Sequence, residues 1–310
     1  MQTVASLGEA GVIARAARYF RGHGFPPVVV GIGDDAAVLP AMRRGYTLFA
    51  SDMLVEGVHF RLGPASAPGR VTPQAAGWKA LACNVSDIAA MGGLPRYAVV
   101  SLGAPPATPA SVTDGIAQGL ARCARRFGVA VVGGDTVRAP QIVIDVAILG
   151  AVGQGKAVLR RGARVGDRIW VTGRLGGSLR SGRHARFVPR VEVAQWLVRH
   201  GPVHAMMDLS DGLASDAWQL ARAGGVTLRL QAGAIPVAPA ARTVRHALMD
   251  GEDFELLFTV APAVSRRLPS LVEGVRLTEI GRVVGRPAGV EMIDERGRVE
   301  PLVPAGFRHF

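Results

Sequence analysis

Four times along this chain an apolar, strand-like run gives way to small or polar residues and then to aspartate. Val28-Val29-Val30 leads into Gly31-Ile32-Gly33-Asp34-Asp35, and Tyr46 to Ala50 into Ser51-Asp52. Val129 to Val132 leads into Gly133-Gly134-Asp135, and His204 to Met207 into Asp208-Leu209-Ser210-Asp211-Gly212. Apolar residues at helical spacing fall between or beside these runs, over 8–21, 73–91, 111–127 and 213–223. The 73–91 helix has Pro73 at its start and Gly92-Gly93 past its end, the usual placement of the two residues. Further strands are read at 97–102, 141–149, 168–172, 226–230 and 254–260, with a helical turn near 240–248. Strands alternating with helices require a layered α/β architecture. A strand that stops at a Gly/Asp turn presents backbone amides and carboxylates at the end of a sheet, where such folds hold ligands. The expectation is an α/β domain over 1–149 and a second, α+β domain over 150–310.

Charge narrows the ligand. The chain carries 36 Lys+Arg against 24 Asp+Glu, a net +12 over 310 residues. Only Lys79 and Lys156 are lysines, and ten of the basic residues lie between Lys156 and Arg190 beside a single acid, Asp167. A solvated arginine-rich face is the plain reading of that stretch. Recognition of small phosphate compounds comes next, and nucleic acid last. Cys83 and Cys123 sit in apolar, helix-like contexts without CxxC spacing, as reduced core thiols of a cytoplasmic protein do. No run of 18 apolar residues occurs, so no membrane span is expected.

The scarce acids are more informative than the abundant arginines. Six of the nine in residues 1–155 are Asp34, Asp35, Asp52, Glu56, Asp87 and Asp135, all within or beside these motifs. Asp87 falls inside a helix, among Val85, Ile88, Ala89 and Ala90, where an unpaired carboxylate is costly to bury. Carboxylates converging on one site repel and shift each other's pKa, and a hard divalent cation relieves that repulsion. Mg²⁺ takes oxygen ligands, keeps waters and bridges carboxylates to substrate phosphates. The seven histidines are scattered, without the His/Cys grouping that zinc takes. Gly31 to Ala36 matches G-x-G-x-x-A, but two aspartates there would repel a pyrophosphate. Gly150 to Lys156 matches a P-loop up to Ala157, which replaces the Mg²⁺-binding hydroxyl.

Six motifs taken in order resemble the thiamine-monophosphate kinase family, part of the aminoimidazole ribonucleotide synthetase-like superfamily. They are GIGDDAAVL (31–39), SDMLVEGVHF (51–60), NVSDIAAMGGLP (84–95), GGDTVRAP (133–140), DLSDGL (208–213) and GEDFELLFT (251–259). The resemblance implies the two-domain fold of that superfamily, α/β followed by α+β. It also implies a homodimer formed by pairing the sheets of the N-terminal domains and a nucleotide in the cleft between the two domains. The reaction it implies is direct in-line transfer of the ATP γ-phosphate to thiamine monophosphate, giving thiamine diphosphate.

Carried over position by position, the resemblance gives Asp35, Ser51, Asp52, Asp87, Asp135, Asp208 and Asp211 to several Mg²⁺ ions. It gives Gly134, Asp135, Arg160 and Ser210 to ATP, and His59 and Glu252 to thiamine monophosphate. Pro304 stands where the family usually has an aromatic residue that stacks on thiamine. Asp135, Arg160 and Asp211 would act directly on the transferring group. An acceptor that is itself a phosphate is already anionic at neutral pH, with a second pKa near ~6, so no general base is required. The alternatives are another ATP-dependent synthetase of the superfamily, or a basic nucleic-acid-binding protein on a degenerate fold. A selenophosphate synthetase would need an N-terminal catalytic cysteine or selenocysteine, and a hydrogenase-maturation relative a C-terminal cysteine; neither is present.

Overall fold

In the computed structural model, residues 2–20, 27, 45–64 and 69–306 are described. The strand read at 28–30 and the turn at 31–35, with the candidate ligand Asp35, lie outside those residues. The chain divides into two units, residues 1–88, 93–155 and 185–187 in one and 89–92, 156–184 and 188–310 in the other.

The first unit contains α1 (Val4–Ala17), β1 (Tyr46–Val55), α2 (Pro73–Ala90), β2 (Leu94–Ala104), α3 (Ala110–Phe127), β3 (Ala130–Arg138) and β4 (Val143–Val152). Its sheet runs β1-β4-β2-β3, with β2 and β3 parallel across α3 and the other pairs antiparallel. Ile144, Val146 and Ile148 fill the buried face, where the Ile88 side chain lies against Gly150. The opposite face leaves Phe49, Met53, Val99 and Val137 exposed.

Two strands run further than the sequence pattern implies. β1 continues through Ser51-Asp52 to Val55, because β4 is long enough to pair all ten of its residues, Tyr46↔Val152 through Val55↔Val143. β3 likewise passes through Gly133-Gly134-Asp135 to Arg138, after a register shift opposite Ala98 and Val99 of β2. A Cβ at Gly134 would lie 1.8 Å from the Val100 carbonyl oxygen, so that position requires glycine.

Helix α2 is buried on nearly all sides, Lys79, Asn84 and Ser86 included. From Ala76 to Ala90, Asp87 is the one residue that is not fully buried. Its close crossing with α3 depends on two glycines. A Cβ at Gly77 would sit 2.0 Å from the Ile116 carbonyl oxygen, and one at Gly119 would sit 1.9 Å from that of Gln74. Lys79, wholly buried on α2, donates to the His59 carbonyl oxygen at 2.8 Å.

The second unit contains β5 (Arg168–Thr172), α4 (Ser178–Ser181), α5 (Val191–His200), β6 (Val203–Asp208), α6 (Leu213–Gly224), β7 (Thr227–Gln231), α7 (Val244–Met249), β8 (Leu256–Val260), α8 (Pro262–Ser265), β9 (Leu271–Val272), β10 (Val275–Gly285), β11 (Gly289–Ile293) and β12 (Val299–Pro301). Its sheet runs β12-β11-β7-β10-β5-β8-β6, with β9 beside β10. Only β7 and β11 pair in parallel, giving the α+β character expected. Ile169, Val171, Met207, Leu213, Leu220, Leu228 and Ile280 form its core. Cys83 and Cys123 are both buried and free. Among the described residues, no helix is long and apolar enough to cross a membrane.

Candidate active site

In the first unit the register separates the candidate ligands. Met53, Asp145, Ser101 and Asp135 stand opposite one another across the four strands and share a face, and Ser51 lies on that face two residues from Met53. Asp52 is on the other face, opposite Val146, where its carboxyl hydrogen-bonds to Asp87 of α2. Burial pushes the Asp52 carboxyl above the usual carboxylate range. The bond to Asp87 opposes that rise, and the charge of Asp145 adds to it. On the open face, Ser51 Oγ donates to Asp145 Oδ1 at 3.2 Å, and Asp135 Oδ1 accepts from the Thr136 N–H at 2.7 Å. His59 lies in the turn after β1, where its Nδ1 accepts the Val55 N–H at 3.0 Å; that bond leaves the ring proton on Nε2.

The second unit gathers all of its predicted residues around one turn. Asp208 ends β6, and Ser210 and Asp211 precede α6. Ser210 accepts the Glu252 N–H at 2.7 Å, which ties the 251–255 motif to that turn. The C-terminal segment carrying Pro304 also passes there: a Cβ at Gly306 would lie 2.1 Å from the Asp211 carbonyl oxygen, and Trp218 Nε1 donates to the Leu302 carbonyl oxygen at 2.5 Å. Residues 307–310 lie outside the described chain.

Arg160 reaches the turn through a residue the sequence reading passed over. Its Nη1 donates to Gln219 Oε1 at 2.5 Å, while Gln219 Nε2 donates to Asp211 Oδ2 at 3.3 Å and to Asp216 Oδ1 at 3.2 Å. Asp216 is wholly buried and accepts the N–H groups of Asp211 and Gly212. Burial first, then the charges of Asp211 and Asp208, push it well above the usual range, against the two N–H bonds. The signals available were the i, i+3 spacing of Asp216 and Gln219 on α6 and an acid placed one turn into an apolar helix.

No three His, Cys, Asp or Glu side chains among the described residues are grouped tightly enough to enclose a metal ion. The donors present are nevertheless all oxygens, and Mg²⁺ needs only one or two carboxylates when waters and phosphates complete its shell. The paired Asp52 and Asp87 carboxyls of the first unit, and Asp208 and Asp211 at the turn of the second, fit that requirement. Among the described residues zinc has no comparable set: His200 and His204 are four apart, but one closes α5 and the other lies in β6. Part of the basic stretch also turns inward. Arg183 and Arg190 pair with the buried Asp253 and Glu255, so it is not wholly the solvated face its composition implied.

Two family models match the chain: AIR synthase related protein, N-terminal domain, over residues 33–152, and the C-terminal domain over 176–294. A thiamine-monophosphate kinase of Rhodopirellula baltica is 38% identical, with 94% of this chain and 95% of the relative covered. The structure of thiamine-monophosphate kinase from Stenotrophomonas maltophilia superposes with a TM-score of 0.77 at 32% identity, covering 90% and 94% of the two chains. The structure of AaThiL complexed with AMPPCP and TMP gives 0.73 at 29% identity over 100% and 99%. On this likeness in sequence and fold, the chain belongs to the thiamine-monophosphate kinase family of AIR synthase related proteins.

Proposed function

We propose that this protein transfers the γ-phosphate of ATP to the phosphate of thiamine monophosphate, releasing ADP and thiamine diphosphate. The observation that carries the reading is the ordered set of carboxylate motifs, present in a chain 38% identical to a thiamine-monophosphate kinase across 94% of its length. The transfer is direct. An oxygen of the thiamine phosphate attacks the γ-phosphorus, and the bond to the bridging oxygen of ADP breaks with its electron pair passing to ADP. Both reactants are anionic, so the protein's work is to align them and to stabilise charge spread over the moving phosphoryl group.

In this reading Gly134, Asp135 and Ser210 bind and orient the nucleotide, and Arg160 donates to the oxygens of the transferring group. His59 and Glu252 orient the thiamine phosphate, with the Nε2–H of His59 as a donor to its oxygens. Ser51, Asp52, Asp87, Asp135, Asp208 and Asp211 would hold Mg²⁺ together with Asp35, the carboxylates through their charge. When bound, the metal supplies charge neutralisation between two anions that otherwise repel. The exposed sheet face carrying Phe49, Met53, Val99 and Val137 supports a homodimer formed by pairing two such faces.

Incubation with ATP, Mg²⁺ and thiamine monophosphate should yield thiamine diphosphate with no phosphorylated protein trapped during turnover. A folded protein that gives no product would overturn the assignment, and a phospho-enzyme would overturn the direct route. Asp135→Asn should lower kcat by about a hundredfold or more, with an unchanged circular dichroism spectrum. Steeply salt-dependent DNA binding without turnover would favour the nucleic-acid alternative instead.

A further inference from the structure

Two acids of the GEDFELL motif are buried where no substrate group is needed to explain them. The side chains of Asp253 and Glu255 are 0% and 1% exposed. Asp253 accepts the Gly176 N–H at 2.9 and 2.8 Å, Ser178 Oγ–H at 2.8 Å and Arg183 Nη2 at 2.5 Å. Glu255 accepts Thr172 Oγ1–H at 2.6 Å, Arg183 Nη1 at 3.2 Å, and a two-pronged contact from Arg190, Nε to Oε2 at 2.7 Å and Nη2 to Oε1 at 2.5 Å. A carboxylate this deeply buried needs such a set of donors.

The segment that carries these anchors is conformationally forced. Glu252 and Phe254 both hold left-handed backbone, at φ 52° and 49°, which residues with a Cβ rarely adopt and which a surrounding structure must impose. What imposes it lies on both sides. The Glu252 and Phe254 N–H groups donate to the Ser210 and Leu209 carbonyl oxygens, the Leu209 N–H donates to Glu255 O, and the flanking acids are gripped by the two arginines.

We infer that Arg183 and Arg190 are positioning residues that, through Asp253 and Glu255, fix the strained turn presenting Glu252 to the thiamine phosphate. This rests on the reading in which Glu252 meets that substrate. It gives part of the basic 156–190 stretch a role inside the protein. The turn at 208–211 has its own support, since the Asp211 and Gly212 N–H groups go to Asp216. Loosening the arginines should therefore disturb Glu252 more than the nucleotide contacts.

The test is steady-state kinetics and amide hydrogen exchange on Arg183→Gln and Arg190→Gln, with Arg229→Gln as a control that breaks the Arg229–Glu291 pair elsewhere in the unit. KM for thiamine monophosphate should rise about tenfold, with KM for ATP within about twofold of wild type. The Glu252 and Phe254 amides should lose exchange protection while those of β7 keep it. The control should leave KM for both substrates unchanged. Arg190→Lys keeps the charge but not the two-pronged geometry, so it should recover only part of the loss. Folded arginine variants with wild-type KM and wild-type protection at Glu252 and Phe254 would overturn the inference. Should both glutamine variants unfold, Ser178→Ala, which removes one donor to Asp253, decides it: a rise of about threefold in the same KM supports the inference, and no change overturns it. If wild type makes no thiamine diphosphate, the functional reading fails, while the exchange measurement still tests whether the arginines hold the turn.

Discussion

At the scale of single residues, both ends of the Gln219 amide are committed: its oxygen to the exposed Arg160, its nitrogen to Asp211 and Asp216. Alanine there leaves the arginine tethered only by its own chain. Because Arg160 is solvated, the loss is modest. Gln219→Ala should raise KM for ATP about fivefold, roughly 1 kcal/mol of binding, with a melting temperature near that of wild type; varied-ATP kinetics would check it, and an unchanged KM would deny the bridge any role. Asp253 gives a prediction in pH. Burial raises its carboxyl above the usual range, with Arg183, the Gly176 N–H, Ser178 and the Arg183 hydrogen bond pulling the other way. A carboxyl raised on folding contributes stability that is complete below the unfolded pKa and lost as pH rises through the folded one. The stability advantage of wild type over Asp253→Asn should therefore be largest in acid and shrink toward neutrality. Urea midpoints for both proteins across the acid range would test this, and a gap that widens with pH would reverse the sign.

At the scale of elements, α2 matters because it holds Asp87 beside Asp52, and its position depends on α3. Gly119 meets the α2 backbone so closely that a methyl group would overlap the Gln74 carbonyl. Gly119→Ala should destabilise by about 3 kcal/mol despite alanine's better helix propensity. Chemical denaturation would measure it, and an increase in stability would mean the two helices can part without loss. This crossing could not be read locally, because glycine inside a helical pattern looks the same whether or not a second backbone lies against it. The same limit explains the strands. Ser51-Asp52 and Gly133-Gly134-Asp135 have the composition of turns, yet both are strand, because β4 and β2 offer partners along their length. Helices α2, α3 and α6 were legible because their periodicity and flanking Pro or Gly agree with their burial. β10 was not, since its bulges at Glu279/Gly281 and Val283/Gly285 break the alternation on which a strand is recognised. Of the candidate site, the acids at 52, 87, 208 and 211 were visible as motifs. Asp216 and Gln219 were not, because their significance lies in partners several residues away or in another segment.

At the scale of the whole molecule, the first unit's sheet has one face packed by helices and one over which, among the described residues, large apolar side chains stay exposed. Phe49 is 74% exposed, Val137 52%, Met53 55% and Val99 39%, and the register sets all four on the same side. Large apolar side chains exposed on one sheet face, here set among Ser51, Ser101, Asp135 and Asp145, mark an interaction surface. Two copies related by a two-fold axis would each present the same face, so one surface satisfies both partners. A stable pairing needs about 800 Å² from each copy, within reach of a four-stranded face with a large aromatic residue on β1. Phe49 carries the most exposed side chain of the four and is the natural anchor. Phe49→Glu sets two carboxylates against apolar neighbours and should weaken association by about 2 kcal/mol or more. Sedimentation velocity over a dilution series should show wild type as a dimer and Phe49→Glu shifting to monomer at a higher protein concentration. Leu175→Ala, buried in the second unit, should by contrast lower stability and leave association unchanged. A Phe49→Glu protein that remained dimeric to the same dilution as wild type would place the dimer contact, or the absence of one, away from this face.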